Sequence, residues 1–234
     1  MTALTPDQTV VRSLGSPTYS TPLHIPEFIE DSSRILIDVE AGNVLEKFQS
    51  NQPIITFENA GPRRLLFFNP GEVTAAIVTC GGLCPGLNNV IQTIVKQLIF
   101  QYKVKKVLGI RYGYAGLNPD RGHAIEELTF EKVSSIDRLG GTILGSSRGN
   151  QDVSVMVDTL QRHGINMLFT VGGDGTLRGA SAIVREVEKR GLPIAVVGIP
   201  KTIDNDIQYI DRTFGFETAV AKATEVLYGA HAEA

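Results

Sequence analysis

Cysteine is scarce in this chain, and so is charge of any one sign. Only Cys80 and Cys84 are present, and His24, His123, His163 and His231 lie scattered without metal-ligand spacing. A zinc site needs several such ligands close together, so none is expected. The two cysteines read as small residues flanking a tight strand-to-helix turn. Net charge is −3, which supplies no basic field for nucleic acid or an anionic membrane surface. It does not exclude phosphate ligands, because backbone dipoles bind them without net positive charge. No apolar run approaches the roughly 18–20 residues of a membrane span. The opening MTALTPDQTVVRSLG has no charged region followed by an apolar core, so it does not read as a signal peptide. A cytoplasmic protein with neither nucleic acid nor membrane as partner is expected. Repeats and low-complexity tracts are also missing.

What is there is a chain of 234 residues with 42% hydrophobic content. That supports one good α/β domain plus an appendage, but not two doubly wound domains. Prolines 6, 17, 22, 26, 53, 62 and 70 punctuate residues 1–72. This part reads as an irregular extension with two short extended segments, 35–39 and 64–68. From Val73 onward the texture is regular. Apolar runs at 75–79, 104–111, 167–171 and 194–199 suit buried strands, with a shorter one at 142–144. Helical periodicity fills 86–102, 130–139, 151–163, 176–190 and 217–228. Buried strands alternating with helices predict a Rossmann-like, three-layer αβα domain with a mostly parallel sheet over 73–234. Ligands in such sheets bind at the carboxyl ends of the strands.

Four loops there carry chemistry. Thr79 to Asn88, TCGGLCPGLN, follows a strand and opens a helix, a place where backbone amides can approach a phosphate. It matches neither GxGxxG nor GxxxxGK[ST], so the standard dinucleotide and P-loop readings fail. Gly140 to Gly149, GGTILGSSRG, adds hydroxyls and the donor fork of Arg148. Val171 to Thr176, VGGDGT, sets Asp174 among glycines. A carboxylate aimed at a phosphate makes sense with a cation such as Mg²⁺ between them. Gly198 to Ile207, GIPKTIDNDI, clusters Lys201, Asp204 and Asp206 near a strand end. One acid there suits a general base for an alcohol, and a second can orient it or hold a metal through water. Each loop also admits a plain structural reading: a turn, a solvated arginine, a capped helix start, an Asx-turn network. Together they fit Mg²⁺-assisted phosphoryl transfer from a nucleotide to an alcohol, and they leave the acceptor open.

The motifs CGGLCPGLN, YGYAGL, GGTILGSSRG, GGDGT, PKTIDNDI and FGFETAV occur in this order between Pro62 and Ala234. In that order and wording they resemble the ATP-dependent 6-phosphofructokinases, most of all the longer plant- and trypanosome-like branch. The resemblance implies the N-terminal lobe of the phosphofructokinase fold and an allosteric, glycolytic enzyme. The implied reaction moves a phosphoryl group from ATP to the 1-hydroxyl of fructose 6-phosphate. It implies that Gly82, Arg148, Gly149, Gly173, Asp174, Gly175 and Thr176 bind ATP, with Asp174 on Mg²⁺. It implies that Thr202, Ile203 and Asp204 face the sugar phosphate. Asp204 is then the base, Arg148 stabilises the moving phosphoryl group, and Asp206 supports Asp204 or the metal. Tyr112 and Tyr114 fall where the family borders the nucleotide.

Donor choice turns on Gly175 and Lys201. Pyrophosphate-dependent relatives carry Asp and Lys at these positions, and an acid at 175 would repel the α-phosphate of ATP. The plant-like ATP branch carries Gly with Lys, as here, so ATP is the expected donor. Family members continue with further sugar-binding motifs that this chain lacks. The expectation is therefore an ATP lobe without its partner lobe, with little activity on its own, and a homo-oligomer (dimer or tetramer) for the complete protein. Pyrophosphate dependence and a non-catalytic nucleotide-binding module are the alternatives. A NAD-kinase or lipid-kinase relative, which GGDGT alone would allow, is disfavoured by PKTIDNDI.

Overall fold

The computed structural model describes residues 4–233 and divides the chain into two units after Asn69. In the first unit, β1 (Tyr19–Ser20) pairs antiparallel with β4 (Leu65–Leu66), and β2 (Arg34–Leu36) with β3 (Thr56–Glu58). Between β2 and β3 lies α1 (Ala41–Gln49), a helix that the proline-rich texture hid. The extended segments expected at 35–39 and 64–68 are thus both paired, though shorter. Arg63 ties this unit together. Its guanidinium donates to Asp31 at 2.8 Å, Glu58 at 3.0 Å and the Asn59 carbonyl at 2.8 Å.

The second unit begins with a 3-10 turn at Pro70–Glu72, whose Pro70 carbonyl accepts from Val73 and Lys105. Five strands follow: β5 (Thr74–Thr79), β6 (Lys106–Ile110), β7 (Ile125–Glu127), β8 (Met167–Gly172) and β9 (Ala195–Pro200). Their order across the sheet is β7-β6-β5-β8-β9. All pairings are parallel except that of β7, an antiparallel edge. The helices are α2 (Leu87–Lys96), continued by a π-helical turn at Gln97–Gln101, the short α3 (Phe130–Val133), α4 (Val153–Arg162), α5 (Asp174–Lys189) and α6 (Phe216–Glu233).

Strand alternation sorts the core. Ala76, Val78, Leu108, Ile110 and Leu168 pack with Met156, Val157 and Leu160 of α4 and Ile183 and Val187 of α5. Ala75 and Ile77, turned to the other face, are equally buried, as is the stripe Leu87, Ile91 and Val95 of α2. This is an α/β fold with a mostly parallel sheet and flanking helices. At one end, α6 leaves Val226, Leu227 and Tyr228 more than two-thirds exposed. Among the described residues no helix is long and apolar enough to cross a membrane.

Two expected elements do not form. Thr142–Leu144 is loop, not strand. Its amides are taken by side chains, Ile143 by Asn88 at 2.8 Å and Leu144 by Thr142, so no ladder is available. Leu144 is fully buried because it fills the space over Gly109, where any side chain would collide with it. The helix expected over 130–139 breaks after Val133 and resumes as a 3-10 turn at Ile136–Arg138. Buried Gln92 donates to the Val133 and Ser134 carbonyls and to Asp137, taking up acceptors a continuous helix would use.

Candidate functional site

Neighbouring parallel strands release their loops on the same rim of a sheet, and here β5, β8 and β9 are adjacent. Cross-loop hydrogen bonds hold those loops together. The Cys80 amide donates to the Val171 carbonyl at 2.9 Å, and the Lys201 amide to the Gly172 carbonyl at 2.9 Å. The 140–149 loop joins through Ser146, whose hydroxyl donates to the Gly81 carbonyl at 2.6 Å, and through the Ser147 carbonyl, which accepts from the Gly81 amide at 3.0 Å. Close packing requires glycine at 172: a methyl group there would strike the Thr176 side chain and lie 2.9 Å from the Cys80 carbonyl oxygen.

These loops line one cleft of about 830 Å³. Of the residues singled out from the sequence, Gly82, Arg148, Gly149, Gly173, Asp174, Gly175, Thr176 and Lys201 all border it. Asp174 and Gly175 begin α5, so their amides belong to the first turn, which a helix cannot satisfy internally. A helix N-terminus with an adjacent guanidinium and ammonium is an anion site. Lys201 is only 6% exposed, and its ammonium donates to the Gly82 carbonyl at 2.5 Å. Arg148 is exposed, with Nη2 3.6 Å from where a Gly82 side chain would begin.

A single acid, Asp174, borders the cleft. Its carboxylate is exposed, and among the described residues there is no cluster of three or more His, Cys, Asp or Glu able to hold a metal. A lone carboxylate fits Mg²⁺, which takes one or two protein carboxylates and fills its remaining positions from phosphate oxygens and water.

Thr202, Ile203, Asp204 and Asp206 do not border this cleft. They lie on the loop that leaves its wall at Lys201, with Ile203, Asp204 and Asp206 exposed. The Thr202 hydroxyl donates to Asp206 at 2.7 Å and accepts from the Asp204 amide at 3.1 Å, so one side chain orders both acids. Asn205, with φ 55°, accepts from the Thr213 amide at 2.8 Å and donates to the Asp211 carbonyl at 3.1 Å. Cys80, Gly81 and Gly82 carry the first loop into the cleft. Its later part turns away, and buried Cys84 donates to the Phe214 carbonyl at 3.0 Å. The start of α2 therefore meets the 202–215 loop instead of the cleft.

Of the remaining cleft lining, the resemblance anticipated only Tyr114. Tyr114 forms part of it, with its hydroxyl donating to the Thr176 carbonyl at 2.8 Å. Its ring lies against Gly179, where a side chain would overlap it. Met156, Ala182 and Gln151 also border the cleft. Tyr112 is outside the cleft, its ring packed at a tilt of 44° against His123 with 4.7 Å between centroids. Burial pushes the Cys80 thiol up to about 11 and raises the Tyr114 phenol, so both stay neutral.

Residues 74–234 match the family model described as phosphofructokinase. The ATP-dependent 6-phosphofructokinase of Trypanosoma cruzi (strain CL Brener) is 58% identical over 177 residues, covering 76% of this chain and 36% of that protein. ATP-dependent 6-phosphofructokinase 7 of Arabidopsis thaliana is 51% identical over 180 residues, covering 77% of this chain and again 36% of that protein. This chain therefore spans little more than a third of either relative's length. The crystal structure of Pichia pastoris phosphofructokinase in the T-state superposes with a TM-score of 0.55 at 27% identity, over 70% of this chain and 19% of that one. With a match over 161 of its 234 residues, the chain belongs to the phosphofructokinase family.

Proposed function

We propose that residues 73–234 form the ATP-binding lobe of a phosphotransferase that moves the γ-phosphoryl group of ATP to the 1-hydroxyl of fructose 6-phosphate. The products are fructose 1,6-bisphosphate and ADP. One observation carries the reading: Gly82, Arg148, Gly173 to Thr176 and Lys201, from four separate loops, border a single cleft at the strand ends.

In this reading the amides of Gly82 and of Gly173 to Gly175 cradle the phosphates, with Thr176 closing the turn by donating to the Gly173 carbonyl, and Gly149 leaves the backbone room beside them. Arg148 and Lys201 offset the charge of the transferring group. Asp174 would hold Mg²⁺, which supplies charge neutralisation on the phosphate oxygens. Thr202 and Ile203 face the sugar phosphate. Asp204 accepts the proton of the 1-hydroxyl as the new O–P bond forms and the bond to the β-phosphate bridging oxygen breaks. Asp206 supports it through the shared Thr202 hydroxyl. Catalysis of this kind is largely positioning, and the reading carries with it a cytosolic, allosterically regulated glycolytic enzyme that assembles as a homo-oligomer.

ATP is favoured over pyrophosphate by two features of the cleft. The space where a Gly175 side chain would stand is open, with no atom within 4 Å. The cleft also continues beyond the phosphate end to Tyr114 and Ala182, further than a pyrophosphate needs. Calorimetric titration with Mg·ATP and with Mg·pyrophosphate tests the donor, and ADP release dependent on fructose 6-phosphate in a complete version of the enzyme, the one in which turnover is read, tests the reaction. Asp204→Asn is expected to keep ATP affinity within about twofold and to lower turnover at least about 10²-fold. Tight pyrophosphate binding with no affinity for ATP would overturn the reading.

A further inference from the structure

A hydrogen-bond relay whose direction is fixed by the backbone ends at the cleft border. The Asp120 amide donates to Asn118 Oδ1 at 3.1 Å. An amide hydrogen has only one sense, so the Asn118 oxygen must face Asp120 and its nitrogen must face away. That nitrogen donates to Gln151 Oε1 at 3.3 Å. Gln151 must then present its own nitrogen outward. Gln151 is half-buried at the cleft border, and among the described residues its Nε2 meets no acceptor. The relay therefore leaves a donor, and not an acceptor, at this point of the cleft.

The position of this donor matters. Along α5, Asp174 and Ala182 are about 12 Å apart at 1.5 Å per residue. The phosphate-binding chemistry sits at the Asp174 end. Toward the other end the walls include Tyr114, Met156, Gly179 and Ala182, an aromatic ring, a thioether and two small residues, with the exposed Arg178 as the charged side chain beside them. Weakly polar walls that start beside the triphosphate cradle, where Tyr114 bonds the Thr176 carbonyl, and run on to Ala182 suit a nucleoside, whose base and sugar both carry acceptors. An oriented donor beside apolar walls is how a pocket fixes such a ligand.

We infer that Gln151 is a specificity residue that donates a hydrogen bond to the nucleoside of the bound triphosphate, and that Asn118 is its positioning residue. The cleft thereby separates a nucleoside triphosphate from an inorganic polyphosphate with the same charged tail. This inference rests on the ATP-binding reading of the cleft and adds the residue that senses the part of ATP not made of phosphate.

The test compares Mg·ATP with Mg·tripolyphosphate, by calorimetry on the 234-residue chain. The parent is expected to bind ATP more tightly. Gln151→Leu is expected to weaken ATP about fivefold, the worth of one net hydrogen bond, and to leave tripolyphosphate within about twofold. Asn118→Asp keeps the acceptor for the Asp120 amide but cannot donate to Gln151. It is expected to shift the ATP-to-tripolyphosphate ratio in the same direction by a smaller factor, which a loss of folding would not do. Equal losses for both ligands, or no change in the ratio in either variant, would overturn the inference. A parent that binds tripolyphosphate as well as ATP would overturn it too, while leaving the phosphate cradle standing. A parent that binds neither would remove the nucleotide reading itself and the inference with it.

Discussion

The ammonium of Lys201 and the carbonyl of Gly82 meet at 2.5 Å, joining loops 119 residues apart in the chain. The charge is buried, and no carboxylate forms an ion pair with it among the described residues. A buried cation with a neutral partner costs stability unless a ligand anion completes it. Lys201→Met, which keeps the length of the side chain, is therefore expected to leave the melting temperature of the free protein unchanged or higher. The same variant is expected to lose at least about tenfold in Mg·ATP affinity, because the ammonium is removed from a low-dielectric wall. Thermal unfolding and calorimetry on one preparation read both. A fall in melting temperature with ATP affinity intact would show a purely structural lysine.

Gly172 and Gly175 are three residues apart and predict opposite outcomes. A methyl group at 172 collides with Thr176, so Gly172→Ala is expected to cost about 1–3 kcal/mol in urea unfolding. A side chain at 175 meets open space on the first turn of α5. Removing a helical glycine and adding an acid near the positive end of a helix are each worth up to about 1 kcal/mol. Gly175→Asp is therefore expected to fold at least as stably as the parent. Its cost falls on the ligand: the new carboxylate faces the phosphates, and Mg·ATP affinity is expected to drop at least about tenfold. Retained ATP affinity in this variant would remove position 175 from donor selection.

How much of this was legible in the sequence depends on whether a residue's role is local. The strands β5, β8 and β9 were visible because both faces of the sheet are covered, so their runs are continuously apolar. Gly82, Arg148 and Asp174, which border the cleft, were visible because they sit in glycine-rich loops, two of them directly after a strand, a local pattern that reads as an anion cradle. Leu144 misled because it is apolar for a tertiary reason, filling the gap over Gly109. The break in the 130–139 helix came from Gln92, some 41 residues away. The edge strand β7 reads Ile-Glu-Glu, too short and too polar to show alternation. Tyr114 was placed at the nucleotide by resemblance alone, while Gln151, which matters through its partner Asn118, was missed because spacing along the chain does not reveal such a pair.

Thr202 controls two acids with one hydroxyl, donating to Asp206 and accepting from the Asp204 amide. Thr202→Val keeps the shape and removes both bonds. The site is exposed, so the stability loss is expected to stay near or below about 1 kcal/mol. ATP binding is expected to remain within about twofold, because none of these side chains borders the cleft. In a complete version of the enzyme, turnover of fructose 6-phosphate is expected to fall about 10- to 100-fold through misplacement of the base, with Thr202→Ser restoring most of it. Equal turnover in the valine and serine variants would dissociate the hydroxyl from the chemistry.

Stability at alkaline pH should report on the floor of the cleft. Burial is the main cause that raises the Cys80 thiol from 9.0 to about 11, with Lys201 and hydrogen bonds pulling weakly the other way. A raised value means the folded protein keeps its proton after the unfolded chain has released it. The resulting stability is complete below pH 9 and drains away as the pH rises through about 11. A gap of that size is worth about 3 kcal/mol. Tyr114, raised by the same burial, extends the loss above pH 10. Urea unfolding of the parent is therefore expected to weaken steeply between pH 9 and 11. Cys80→Ala is expected to be less stable than the parent at pH 8, since it leaves a small void, and to close that gap by pH 10.5. Parallel stability curves for parent and variant across this range would mean that the thiol is not sealed from solvent, and that the floor of the cleft is open.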